Sequence, residues 1–221
     1  MSERPTVLVF TKPAVPGRVK TRLIGAVTAD QAAALHAAFY DDLLAQLEDA
    51  DSFALRTAWA LDPGESPPAG APMPMVQQGS DLGARLFHAL EHATTEHDYV
   101  AAIGVDMPDL PVETIAAAFD RLAAGTDVVI GPAEDGGYYL IALHRDALHR
   151  ELFEGIAWST ESVLSDTRMR CARLGLRLDQ LEWRRDVDVV ADLHALAERL
   201  RAHPERAPRT LSLLEKLTPL P

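Results

Sequence analysis

The chain has 221 residues, 48% of them hydrophobic, enough to bury one full core and short for two. Its 33 acidic and 21 basic residues leave a formal charge of −12, which argues against nucleic acid or an anionic membrane surface as the main partner, since both select basic faces. Cys171 is the only cysteine, so neither an internal disulfide nor a cysteine metal cluster can form.

The polar Met1-Ser-Glu-Arg-Pro5 leads straight into an apolar run at 7–10, with no signal-peptide pattern. No apolar run approaches the roughly 18 residues of a membrane span. The expectation is one cytoplasmic domain over 1–221, with its core over about 5–200 and a C-terminal helix over 204–217.

The run at 7–10 suits a strand buried on both faces of a parallel sheet. Pro13, Pro16 and Gly17 then forbid regular structure, so Lys12, Arg18, Lys20 and Arg22 project from a loop at the strand's carboxyl end. Open α/β sheets bind ligands at that edge. Lys20-Thr21 mimics the end of a nucleotide P-loop, but Val19 and Pro13 stand where that motif needs glycines. The alternative to a phosphate site is an ordinary solvated face. Four cations within eleven positions depart from an acidic background, which favours phosphate.

Thr28 and Gln31 have capping-box spacing ahead of an amphipathic helix over 31–50. Residues 53–61 alternate as a strand with Phe53, Leu55, Thr57 and Trp59 on one side, and 63–74, with five prolines and two glycines, form a surface connection. Met75-Val76 forms a short strand, and Ser80 caps a helix over 81–97. His88 and His92 lie four apart on that helix, a metal-compatible spacing, but solvated or capping histidines are the simpler reading.

Residues 99–105 form another buried strand, and Pro111 opens a helix over 112–124. A strand at 127–131 runs into Ala133-Glu-Asp-Gly-Gly137, and an extended segment resumes at 139–143. Ser159 or Thr160 caps a helix over 161–174, 176–183 form a strand, and helices follow over 189–200 and 204–217, with Pro219-Leu-Pro221 fraying. Strand and helix alternating at this interval predict a doubly wound, mostly parallel sheet with helices on both faces.

Asp106, the Glu134-Asp135 pair, and Asp186 with Asp188 each follow a predicted strand, so they converge on the edge that carries the basic loop. Carboxylates beside a phosphate site are the habit of Mg²⁺ or Mn²⁺. Gly136 and Gly137 are either a tight turn or a place where backbone N–H groups approach a substrate. Asp109 and Asp127 read as turn and loop-capping residues and stay outside the site. Asp186 and Asp188 have the alternative of a solvated strand end or a helix cap.

Five segments, Lys12-Pro-Ala-Val-Pro-Gly-Arg-Val-Lys-Thr-Arg-Leu23, Gly104-Val-Asp-Met-Pro-Asp-Leu110, Gly131-Pro-Ala-Glu-Asp-Gly-Gly-Tyr-Tyr-Leu140, Trp158-Ser-Thr160 and Asp186-Val-Asp188, together resemble a bacterial family of provisionally assigned glycosyltransferases. That family has the GT-A, nucleotide-diphospho-sugar transferase fold, a Rossmann-like α/β sheet. Some members are associated with radical-SAM and arsenosugar genes, and the family is related to the guanylyltransferases of molybdenum-cofactor and phospholactate chemistry.

The resemblance implies a nucleotide site at Lys12, Gly17, Arg18, Lys20 and Arg22, with Gly136 and Gly137 nearby. It also implies Mg²⁺ or Mn²⁺ on Asp106 completed by Asp186 or Asp188. The catalytic roles expected on that basis are charge stabilisation at the phosphates by Lys20 and Arg22 with the metal on Asp106, and a base toward an acceptor at Glu134 or Asp135. Gly104-Val-Asp106 supplies one aspartate where such enzymes typically have a D-x-D pair. The implied activity is glycosyl transfer from a nucleotide sugar to a small-molecule acceptor. Nucleotidyl transfer from a nucleoside triphosphate, releasing pyrophosphate, and a non-catalytic nucleotide-binding role are the alternatives.

Overall fold

Val7, Leu8 and Val9 are fully buried because β1 (Thr6–Thr11) runs through the middle of the sheet, paired in parallel with β2 (Ala54–Trp59) on one side and β4 (Tyr99–Gly104) on the other. The structure, a computed structural model, describes residues 4–217. Beyond β2 lies the two-residue β3 (Met75–Val76). Beyond β4 come β6 (Tyr138–His144), β5 (Val128–Pro132) and β7 (Leu178–Gln180), giving the order β3-β2-β1-β4-β6-β5-β7. All pairings are parallel except those of β6, which is antiparallel to β4 and β5. Residues 133–137 are too few for a parallel crossover, so the chain doubles back as a hairpin and brings the start of β6 to the same edge as the end of β5.

Helices cover both faces. α1 (Ala29–Ala50) and α3 (Val112–Ala123) pack Leu43, Leu47, Ile115 and Phe119 onto Val7, Val9, Ala101 and Val129. α2 (Leu82–Thr94) and α4 (Val163–Leu174) pack Leu86, Leu90 and Leu164 onto Leu8, Val100, Ile130 and Ile141. A third apolar cluster lies behind α1, where Leu35 and Phe39 meet Leu193, Leu196 and Leu214 of α5 (Val190–Ala202) and α6 (Pro208–Lys216). Buried Cys171 is a packed residue of α4. No helix among the described residues is long and apolar enough to cross a membrane.

Several expected details differ. β2 does not alternate, because both its faces are covered: Arg56 reaches Glu96 just past the end of α2 (2.6 Å) while Thr57 meets the Tyr40 hydroxyl on α1 (2.9 Å). Asp81, not Ser80, caps α2, its carboxylate accepting the Ala84 N–H at 2.9 Å, while Ser80 donates to Asp81. α4 starts at Val163, because Ser159 has left-handed backbone (φ 64°) and Thr160 gives its hydroxyl to the Ala157 carbonyl instead of capping. β7 ends at Gln180, and α6 begins only at Pro208. The predicted fraying of Pro219-Leu-Pro221 lies outside the described residues.

Candidate active site

The basic loop leaves β1 at the carboxyl edge of the sheet, between β2 and β4. Val19 and Leu23 are fully buried and anchor it, Gly17 turns it at φ +79°, and Lys20 holds left-handed backbone (φ 46°, ψ 40°), unusual for a residue with a side chain. The Lys20 side chain explains its conformation. It is 4% exposed, donates to the Val187 carbonyl at 2.5 Å, meets the Asp106 carboxylate, lies 3.7 Å from that of Asp188, and passes 5.4 Å from the Phe39 ring centroid.

Asp106 follows β4, and its carbonyl accepts the Val187 N–H at 3.0 Å. After β7 the chain continues along β5, with Leu181 donating to Ile130 and Arg184 to Pro132, and so delivers Asp186 and Asp188 to Asp106. Asp192 fixes that end: its buried carboxylate accepts the N–H groups of Asp188 (2.9 Å) and Val189 (2.8 Å) and pairs with Arg185 (2.6 Å). Burial, then the Asp135, Asp188 and Asp106 carboxylates, push the Asp186 carboxyl up to about 6.

Two adjoining clefts open here, of about 390 and 350 Å³, and both are lined by Arg22, Asp106 and Asp188. The smaller also has Lys12, Lys20, His36 and Gln77 in its wall. The larger has Asp135, Gly137 and Asp186 on its polar side, with Tyr138 and Trp158 among its apolar walls.

The expected site residues separate into two groups. Asp106, Asp135, Asp186, Asp188, Lys12, Lys20, Arg22 and Gly137 line the clefts. The cations and carboxylates are not two opposed walls, however, since Lys20 is inserted between Asp106 and Asp188 and Arg22 meets Asp188 at 2.8 Å. Arg18, Gly17, Glu134 and Gly136 line neither cleft. Arg18 is taken by Asp62 (2.7 Å) and Glu65 (2.6 Å), which tie the basic loop to the proline-rich connection. The Glu134 side chain lies 4.0 Å from Arg185, its backbone bridged to Arg184.

Gly136 serves close packing, because a Cβ there would strike the Glu161 backbone. The Gly137 N–H is already given to Asp135 at 2.8 Å, so this pair does not present two unpaired N–H groups. On α2, His88 lies 3.8 Å from Glu91 and His92 faces Arg56, and among the described residues no three His, Cys, Asp or Glu side chains form a ready metal cage. Asp109 and Asp127 are held by Arg199 and Arg177, outside the site.

Sequence reasoning missed His36, Gln77 and Asp192. His36 is buried, which lowers its pKa, and its Nε2 lies 3.1 Å from both the Lys12 carbonyl and the Thr11 hydroxyl. Gln77 donates to the carbonyls of Thr11 (3.2 Å) and Ala58 (2.9 Å), joining the ends of β1 and β2. Asp192 has the one signal that was legible, an acid in the first turn of the helix after Asp188.

Among solved structures, the chain is similar to a provisionally named nucleotide-diphospho-sugar transferase from Desulfovibrio desulfuricans G20, at 34% identity and a TM-score of 0.92, covering 99% of this chain and 97% of that one. The fold is shared with CMP:2-keto-3-deoxy-manno-octonic acid synthetase in complex with CTP (13% identity, TM-score 0.54, 91% of this chain and 100% of that one). It is also shared with Rv0371c from Mycobacterium tuberculosis H37Rv in complex with manganese (15% identity, TM-score 0.51, 90% and 100%). No curated protein matches the chain. The model of a family described as "Uncharacterized protein conserved in bacteria (DUF2064)" matches residues 42–160, more than half the chain. The chain therefore belongs to the DUF2064 family and has the nucleotide-diphospho-sugar transferase fold.

Proposed function

We propose that the chain is a metal-dependent transferase that holds a nucleotide sugar against its basic loop and passes the glycosyl group to a small-molecule acceptor in the adjoining cavity. The observation that carries this reading is the meeting of Lys12, Lys20 and Arg22 with Asp106, Asp186 and Asp188 at one sheet edge, beside a second cleft of about 390 Å³. The nucleotide-diphospho-sugar transferase name of the 34% identical relative supports it. Engagement of Arg18 by Asp62 and Glu65 leaves fewer cations for a triphosphate, which favours glycosyl over nucleotidyl transfer.

The donor set suits Mg²⁺ or Mn²⁺. Carboxylate oxygens are hard ligands, Mg²⁺ commonly uses only one or two of them together with substrate phosphates, and Asp106 and Asp188 already share a cation in the Lys20 ammonium. Asp106 and Asp188, with Asp186 beside them, would hold the ion. When bound, it supplies neutralising charge at the diphosphate. Lys20 and Arg22, turned from the carboxylates to phosphate oxygens, stabilise the leaving group, and Lys12 orients it. The acceptor oxygen bonds to the anomeric carbon, the carbon–oxygen bond to phosphate breaks with its electron pair leaving on the diphosphate, and Asp135 takes the acceptor's proton. Its presence in the cavity wall supports that role over Glu134.

The test is incubation with Mg²⁺ or Mn²⁺ and panels of nucleotide sugars and nucleoside triphosphates, following melting temperature and released product. The expected result is a metal-dependent rise in melting temperature with a nucleotide sugar, and release of nucleoside diphosphate. Asp106→Asn is expected to remove the metal-dependent part. Pyrophosphate release would establish nucleotidyl transfer instead, binding without turnover would establish a non-catalytic role, and no shift with any nucleotide would end all three readings.

A further inference from the structure

The larger cleft is lined by two kinds of side chain, aromatic and aliphatic on one hand and charged on the other. Trp158 and Tyr138 stand nearly perpendicular (83°), ring centroids 6.2 Å apart, and form an aromatic corner that Leu86 and Ile141 extend. The same lining sets four carboxylates, Asp106, Asp135, Asp186 and Asp188, against one cation, Arg22, which is paired with Asp188 at 2.8 Å. Such a corner accepts a planar apolar ring edge-on or offset, and the carboxylates repel an anion brought against them. At about 390 Å³ the space suits a small molecule.

The corner is built in advance. Gly83 near the start of α2 has no Cβ, and any Cβ there would fall within 3.0 Å of the Trp158 indole and the Phe153 carbonyl, so the loop sits directly on the helix. Phe153 is buried beside it, the Trp158 backbone N–H donates to the Ile156 carbonyl at 3.0 Å, and the Thr160 hydroxyl donates to the Ala157 carbonyl at 2.6 Å. A ring entering such a wall loses little binding energy to ordering the loop.

We infer that this cavity selects the acceptor, and that the acceptor is a neutral or cationic hydroxyl compound built on a planar apolar ring, with anionic acceptors refused. This rests on the transferase reading for the word acceptor, while the selectivity rests on the cavity alone.

Three probes share one ring and differ in charge: tyramine, tyrosol and 4-hydroxyphenylacetate. Their binding to the intact protein is measured by calorimetry at neutral pH without added divalent metal, so that the carboxylates of the cleft keep their charge. Tyramine and tyrosol are expected to bind at least ~10-fold more tightly than the carboxylate. Trp158→Ala is expected to weaken both by about 10-fold, while the nucleotide-induced melting shift persists. Leu82→Lys places a cation at an exposed position of the wall, where misfolding is not at issue, and is expected to close the gap by strengthening 4-hydroxyphenylacetate.

Equal affinity for the three probes, no binding of any, or no change in either variant would overturn the inference. Nucleotide binding without probe binding removes the inference and leaves the transferase reading. Probe selectivity without nucleotide binding removes the acceptor role together with that reading.

Discussion

The Asp186 carboxyl, pushed up to about 6 by burial and by three neighbouring carboxylates, makes the cleft a source of pH-dependent stability. Between about pH 4 and the raised folded value, the folded state binds more protons than the unfolded chain, so stability falls as pH rises through that window. Below it the contribution is fully present. Melting temperature measured from pH 4 to 7 is expected to decline less for Asp186→Asn than for the wild type, with the variant the more stable of the two at pH 7. Parallel profiles would mean that the carboxylates do not press on one another as the structure describes. Lys20 is the counterweight: its ammonium partly neutralises the same cluster, and those contacts hold a backbone conformation that a side chain otherwise disfavours.

Among the elements, α2 and the 153–158 loop form the most stringent fit. A glycine inside a helix normally costs about 1 kcal/mol relative to alanine, so Gly83→Ala in an unconstrained helix would stabilise. Here the added methyl meets the Phe153 carbonyl and the Trp158 indole, and overpacking of that kind costs about 1–3 kcal/mol. Urea denaturation is expected to show net destabilisation by Gly83→Ala, with a change in tryptophan emission as Trp158 is displaced. A more stable variant with unchanged emission would refute the close approach. The same logic separates the adjacent glycines of the β5–β6 hairpin. Gly136 is required by the Glu161 backbone, whereas Gly137 lines the cleft, a division that a Gly-Gly pair in a sequence does not reveal.

At the scale of the whole molecule, the C-terminal helix is tied to the first one by a buried carboxylate. Asp42, in the middle of α1 and 1% exposed, accepts the N–H groups of Thr210 (2.7 Å) and Arg209 (3.2 Å), and so caps α6 from 167 residues away. Asp42→Ala is expected to cost about 2–3 kcal/mol, since buried N–H groups lose a charged partner. For a chain of this size that is a fall of about 4–12 °C in melting temperature. Hydrogen exchange is expected to rise first in α6, and uniform loss of protection would contradict a local tie. Much of this architecture was legible along the chain: apolar runs marked β1, β4 and β5, helical spacing marked α1, a first-turn proline marked α3, and Asp106, Asp135, Asp186 and Asp188 lie in one cleft as expected from their places after strands. Periodicity and capping express burial and hydrogen bonding between near neighbours, which the sequence by itself determines. Tertiary structure alone decided that β6 lies between β4 and β5, that Lys20 enters the carboxylate cluster while Arg18 leaves the cleft for Asp62 and Glu65, and that Trp158 meets Tyr138 in an aromatic corner. Strand order, loop closure and the absence of one Cβ set those pairings, and no local pattern encodes which distant side chains they bring together.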